Sequence, residues 1–140
     1  VSQSHRSALL ANLATQLITY NRIETTLAKA KALRPFIEKI ITMAKKARLA
    51  EHPNSLHYRR LALAKVRSRD AINQLFNKKV EEFMQRPGGY TRIYKLVPRR
   101  GDAAPMGLIE MISASDVGFT KRSARKPHAT EKAEISATAL

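Results

Sequence analysis

The side chains able to do proton or metal chemistry are few and scattered. Histidines stand at His5, His52, His57 and His128. The closest pair, His52 and His57, is five residues apart, poor spacing for two ligands on one helix face, and no HExxH pattern is present. The carboxylates sit beside cations: Glu24 near Arg22, Glu38 beside Lys39, Asp70 beside Arg69. A neighbouring cation favours the ionised carboxylate, which suits ion pairing better than general acid or base work. Cysteine is absent, which excludes thiolate nucleophiles, disulfides and cysteine-held zinc or iron–sulfur groups. Gly88-Gly89 lacks the Gly-Lys-Ser/Thr continuation that grips a nucleotide phosphate. No catalytic residue, metal site, cofactor or small-molecule substrate is expected from this inventory.

The basic residues carry more information. Lys and Arg number 26 against 11 Asp and Glu, a net charge of +15 on 140 residues. Self-repulsion of that size opposes a compact chain unless an anion neutralises it. Nucleic acid is the first candidate and a membrane surface the second. The excess is +7 in residues 1–48, +6 in 49–112 and only +2 in 113–140. It gathers in clusters. Lys31, Arg34, Lys45 and Arg48 are expected to form a stripe on one helix. Arg59, Arg60, Lys65, Arg67 and Arg69 form a dense block, Arg86 and Arg92 flank Gly88-Gly89, and Arg99-Arg100 precede Gly101.

Any one cluster is explained as a solvated face; four on a small chain point to nucleic acid wrapping several sides. The planar arginine fork binds two phosphate oxygens or stacks on a base. That favours folded RNA over a single DNA groove. The sparse aromatics show no repeated base-stacking pattern. Phe36, Phe76 and Phe83 are expected in the core, and Tyr90 and Tyr94 are open to either role. No apolar run approaches the ~18 residues of a membrane span.

These residues need a scaffold, and the hydrophobic pattern supplies one. Leu9, Leu10, Leu13, Leu17 and Ile18 recur at helical spacing, predicting a helix over 4–20 capped by Ser4. Residues 22–26 read as a short strand. Thr26 is expected to cap a second helix reaching about Arg48, kinked at Pro35. A third helix over about 54–67 carries Leu56, Leu61, Leu63 and Ala64. A fourth, started by Ser68 or Asp70, buries Ile72, Leu75, Phe76, Val80, Phe83 and Met84. Arg86-Pro87-Gly88-Gly89 stops it. Two strands follow, Thr91–Val97 and Met106–Ile112, joined by a long tip from Pro98 to Pro105. The order is α-β-α-α-α-β-β: an α+β domain with helices packed on a small sheet. Residues 1–112 form the expected domain and 113–140 a C-terminal extension or tail.

Particular blocks carry a resemblance. Ser4-His5-Arg6 is followed by Arg22-Ile23-Glu24-Thr25-Thr26 and Ala28-Lys29-Ala30-Lys31. Then come Gly88-Gly89-Tyr90-Thr91-Arg92, Arg100-Gly101-Asp102-Ala103-Ala104-Pro105-Met106 and Ile109-Glu110. Over about residues 4–112 the chain resembles the L-seventeen family of bacterial-type large-subunit ribosomal proteins. The resemblance implies a structural rRNA-binding protein with a three-stranded sheet, placed near the peptide tunnel exit among other large-subunit proteins. By match it implies that His5, Arg6, Arg22, Lys29 and Lys31 face rRNA, with the Gly88–Arg92 segment and the Arg99–Asp102 tip. Arg34, Arg59, Arg60, Arg67, Arg69 and Arg86 join this set from the charge clusters.

The chain departs from the family in places. Members carry a very basic segment before the Ser-His-Arg block, where three residues stand here. Their second helix has its proline later than Pro35, and Ala47–Ser55 is long. The expected compartment is therefore a ribosome of a bacterial cytoplasm or of an organelle, mitochondrion or plastid. Two other functions are open to a basic chain of this kind. A free regulator would use the third and fourth helices as a helix-turn-helix, but the turn lacks the usual glycine. An RNA-modifying enzyme would need a metal or nucleotide site.

Overall fold

Ser2 opens the first helix. Its backbone is extended and its hydroxyl accepts from the His5 N–H at 3.4 Å, so α1 runs Gln3–Tyr20. The cap lies two residues before the expected Ser4, which sits inside the first turn. Asn21 ends α1 in the left-handed conformation, φ 66°. The computed structural model describes residues 2–50 and 54–116. His52, Phe119, His128 and most of the expected tail lie outside them.

Strand β1 (Arg22–Thr26) leads directly into α2 (Leu27–Leu49). Thr26 is the N-cap residue, but its hydroxyl makes no cap bond. The Leu27 N–H instead donates to the Pro105 carbonyl at 2.9 Å. A hairpin carbonyl thus satisfies one of the orphan donors of the helix and ties α2 to the base of the tip. The helix continues unbroken through Pro35, which is exposed. Its ring removes the N–H that would have donated to the Lys31 carbonyl.

Helix α3 (Asn54–Val66) buries Ala62 and Val66. Leu56 and Leu61, two of the apolar residues expected on this helix, are exposed. Arg67 then takes a left-handed φ of 64° and its N–H donates to the Leu63 carbonyl at 2.8 Å. It fills the helix-terminating position that glycine usually occupies. Ser68 caps α4 (Arg69–Gln74), its hydroxyl accepting from Ala71 N–H. The helix then widens into a π turn over Leu75–Lys79 before α5 (Val80–Phe83). The wider turn keeps Leu75, Phe76, Val80 and Phe83 all buried. The Lys79 ammonium donates to the Ile18 carbonyl and to Asn21 Oδ1, capping the end of α1. Burial outweighs the attraction of Glu82 and lowers its pKa.

Strands β2 (Thr91–Leu96) and β3 (Met106–Met111) complete a three-stranded antiparallel sheet of order β1-β3-β2. Ile23, Ile109 and Ile93 form one cross-strand row, with Ile109 fully buried against the helices. The next row, Arg22, Glu110 and Arg92, faces the other way. The core is built from Leu17, Ile18, Leu33, Ile37, Ile40, Ile41, Ile72, Leu75 and Phe83. This is the expected α+β architecture: four helical segments, the last carrying the π turn, on a small sheet.

Candidate nucleic-acid interface

The segment between the last helix and β2 is held from beneath. Tyr90 is buried and meets Phe83 edge-on, with ring centroids 5.5 Å apart. Its hydroxyl accepts from Lys45 Nζ at 3.2 Å, and the same ammonium donates to the Arg86 carbonyl. It also sits 5.3 Å from the Tyr90 ring centroid. One expectation is corrected here: Lys45 points into this joint and leaves the basic stripe. Of the two roles open to Tyr90, its ring takes the core one. Sequence spacing places a lysine on a helix without showing which neighbour its long stem reaches.

Above that joint the chain forms an open cavity of ≈ 770 Å³. Arg34, Arg86, Gly88, Gly89, Thr91 and Arg92, all expected site residues, line it. Glu82, Gln85 and Asp116 contribute as well. Gly89 has φ +65°, and a Cβ at either glycine would meet nothing within 4 Å. The backbone there is open to close approach by a ligand.

The guanidinium groups are already oriented. Arg34 Nε lies 3.5 Å from Glu38, whose carboxylate also accepts from the Thr91 hydroxyl at 3.4 Å. Arg92 lies 2.7 Å from the Asp116 carboxylate and donates to the Tyr94 hydroxyl at 3.2 Å. Tyr94 in turn donates to Glu110 at 3.0 Å. The Tyr94 hydrogen bond, then Asp116, raise the Arg92 pKa. Arg86 donates to the Asp116 backbone carbonyl. Asp116 lay within the expected tail and was not among the expected site residues. No local sequence signal marks a lone aspartate as the partner of arginines far along the chain.

The hairpin tip is a second cationic point. Arg99 grips Asp102 with two bonds, Nε to Oδ1 at 3.1 Å and Nη2 to Oδ2 at 2.6 Å. Asp102 also accepts from the Ala104 N–H, and these donors, Arg99 first, hold its carboxyl down at about 2. The Arg99 N–H donates to the Ala104 carbonyl and the Ala103 N–H to the Arg99 carbonyl, both at 3.0 Å, which closes the tip. Arg100 and Gly101 are exposed.

The other expected residues do not join the cavity. Arg22 is exposed on β1 and shares the Glu110 row with Arg92. His5 and Arg6 lie exposed in the first turn of α1, and Lys29 and Lys31 near the start of α2. Arg59 donates to Asn77 Oδ1 at 2.6 Å and lies over the Phe76 ring. Arg60, Arg67 and Arg69 are exposed along α3 and its junction with α4. Among the described residues no group of three His, Asp or Glu side chains could hold a metal. No described helix is long and apolar enough to cross a membrane.

Fold and site together define a small, strongly basic α+β domain that presents arginines and open backbone at one end. The family model for ribosomal protein L17 matches residues 9–112, and the chain belongs to that family. It is similar to the large ribosomal subunit protein bL17 of Opitutus terrae, 56% identical over 128 residues, 90% of this chain and 75% of that protein. The protein of the same name from Chlorobium phaeobacteroides is 44% identical over 149 residues, covering 97% of this chain and 86% of the relative. That from Neorickettsia sennetsu is 49% identical over 111 residues, 79% and 90% of the two chains. The Chlorobium match extends beyond residue 112, so likeness to relatives reaches into the expected tail.

Proposed function

We propose that this chain is a structural constituent of the large ribosomal subunit that binds and stabilises folded large-subunit rRNA. The observation that carries the reading is the cavity where Arg34, Arg86 and Arg92 converge on the open Gly88–Gly89 backbone. Fixed guanidinium forks and exposed amides are suited to phosphates brought together by RNA folding. The role needs no turnover: the protein neutralises phosphate repulsion and holds RNA segments in place. His5, Arg6, Arg22, Lys29, Lys31, Arg59, Arg60, Arg67, Arg69, Arg99 and Arg100 are proposed as further contacts, which spreads the interface over several sides.

Residues 1–112 are the rRNA-binding domain in this reading and 113–140 its extension. The family resemblance supports a place near the peptide tunnel exit, among neighbouring large-subunit proteins. The relatives named above are bacterial, which supports a bacterial-type ribosome over an organellar one. Binding to purified large-subunit rRNA across a salt series tests the reading. Each phosphate contributes a log–log slope of roughly −0.7 to −0.9. Engagement of several clusters predicts a slope steeper than about −3, and a slope near −1 contradicts it.

A further inference from the structure

Asp116 lies just past residue 112, where the family match ends. It answers two arginines at once: its carboxylate is 2.7 Å from Arg92, and its backbone carbonyl accepts from Arg86. A short turn carries it there. The Asp116 N–H donates to the Ser113 carbonyl at 3.1 Å, and the Ile112 N–H to the Tyr90 carbonyl at 3.0 Å. The Arg92 and Asp116 side chains are 24% and 31% exposed, so water reaches the pair and it opens at low cost. Beside it lie Gly88 and Gly89, with free space at both. A carboxylate and a phosphate offer a guanidinium the same pair of anionic oxygens.

We propose that Asp116 occupies, in the free protein, the Arg86–Arg92 seat that a backbone phosphate of RNA takes in the complex. RNA entry then displaces the Ser113–Asp116 turn from the mouth of the cavity. This deepens the rRNA-binding reading above and rests on it. The placeholder has two physical effects. It relieves repulsion among Arg34, Arg86 and Arg92 while no RNA is bound. It also penalises short polyanions, because a ligand must hold on elsewhere to displace the carboxylate.

The test uses the full chain and protein-free bacterial large-subunit rRNA at one fixed salt concentration. Asp116→Asn keeps the shape and removes the charge. It is expected to tighten binding about fivefold, the scale of one partly exposed ion pair. Asp116→Ala repeats the measurement without an amide that can still pair with Arg92. Glu81→Gln, which removes a carboxylate paired with Arg48 and not with a proposed contact, changes affinity less than about twofold. In an Arg92→Ala background the gain from Asp116→Asn disappears, since the two residues act as one unit. No gain from either Asp116 variant overturns the proposal, as does an equal gain in the Arg92→Ala background. If the unaltered chain fails to bind rRNA, the functional reading itself falls, a result distinct from either of these.

Discussion

Lys45 and Tyr90 form the joint between α2 and the loop entering β2: Nζ is 3.2 Å from the phenol oxygen and 5.3 Å from the ring centroid. The same ammonium donates to the Arg86 carbonyl, so one side chain fixes both ends of the Arg86–Tyr90 segment. Lys45→Met is expected to destabilise the domain by about 1–2 kcal/mol, the loss of a charged hydrogen bond and a cation–π contact. That lowers Tm by roughly 5–10 °C for a domain of this size. Thermal unfolding followed by circular dichroism reads it. A Tm equal to the wild type's would show that Lys45 does not brace the loop.

The two glycines separate backbone strain from ligand approach. Gly89 has φ +65° and Gly88 does not have a positive φ, yet both have open space around a Cβ. Gly89→Ala should cost about 1 kcal/mol because an L-residue is strained there. Gly88→Ala should leave Tm nearly unchanged and weaken rRNA binding, since the added methyl stands where a phosphate approaches. Paired melting and binding curves decide the matter. Unchanged binding in Gly88→Ala would remove this loop from the contact surface.

Asp102 gives the tip a pH signature. Its carboxyl titrates at about 2 in the folded chain, against an ordinary 3.8, chiefly because Arg99 bonds it. A lowered folded value means that this support is fully present above about 3.8 and is lost as pH falls through about 2. A carboxyl-carbon NMR titration should show the low midpoint. In Arg99→Ala the midpoint should return toward 3.8. A wild-type midpoint near 3.8 would mean that the pair seen at the tip does not persist in solution.

Neighbouring arginines at that tip have different work. Arg99 is committed to Asp102, whereas Arg100 is exposed with no hydrogen bond or ion pair among the described residues. Arg100→Ala should weaken rRNA binding and leave the Asp102 titration untouched. Arg99→Ala should move that titration as well. Equal shifts of the Asp102 midpoint in both variants would show that the two arginines share one structural role.

Helical periodicity made the elements legible, because Ile37, Ile40, Ile41 and Ala44, or Ile72, Phe76 and Phe83, fall on one face whatever the tertiary details. The strands were legible from β-branched runs. Less visible was the π turn at Leu75–Lys79, which follows from burying Leu75, Phe76, Val80 and Phe83 together while Lys79 reaches the end of α1. Pattern alone does not report an extra residue in a turn. The caps are partly legible: Ser68 caps α4 as expected, Ser2 rather than Ser4 caps α1, and at α2 the Thr26 hydroxyl makes no cap bond while the Pro105 carbonyl accepts from Leu27. In the site, the sequence groups Arg86, Gly88, Gly89 and Arg92 along one loop and puts Arg34 in a separate stripe on α2. Their convergence, the inward turn of Lys45 and the pairing with Asp116 are long-range contacts that no local spacing encodes.

Every role proposed for this chain depends on its being part of the large ribosomal subunit. The most direct test is sucrose-gradient fractionation of the source cells, with the chain detected in each fraction after a high-salt wash. It should travel with the large subunit and stay there, because contacts packed inside an assembled subunit are screened by salt far less than those of the free protein on bare rRNA. A chain that remains at the top of the gradient would contradict that placement in the subunit.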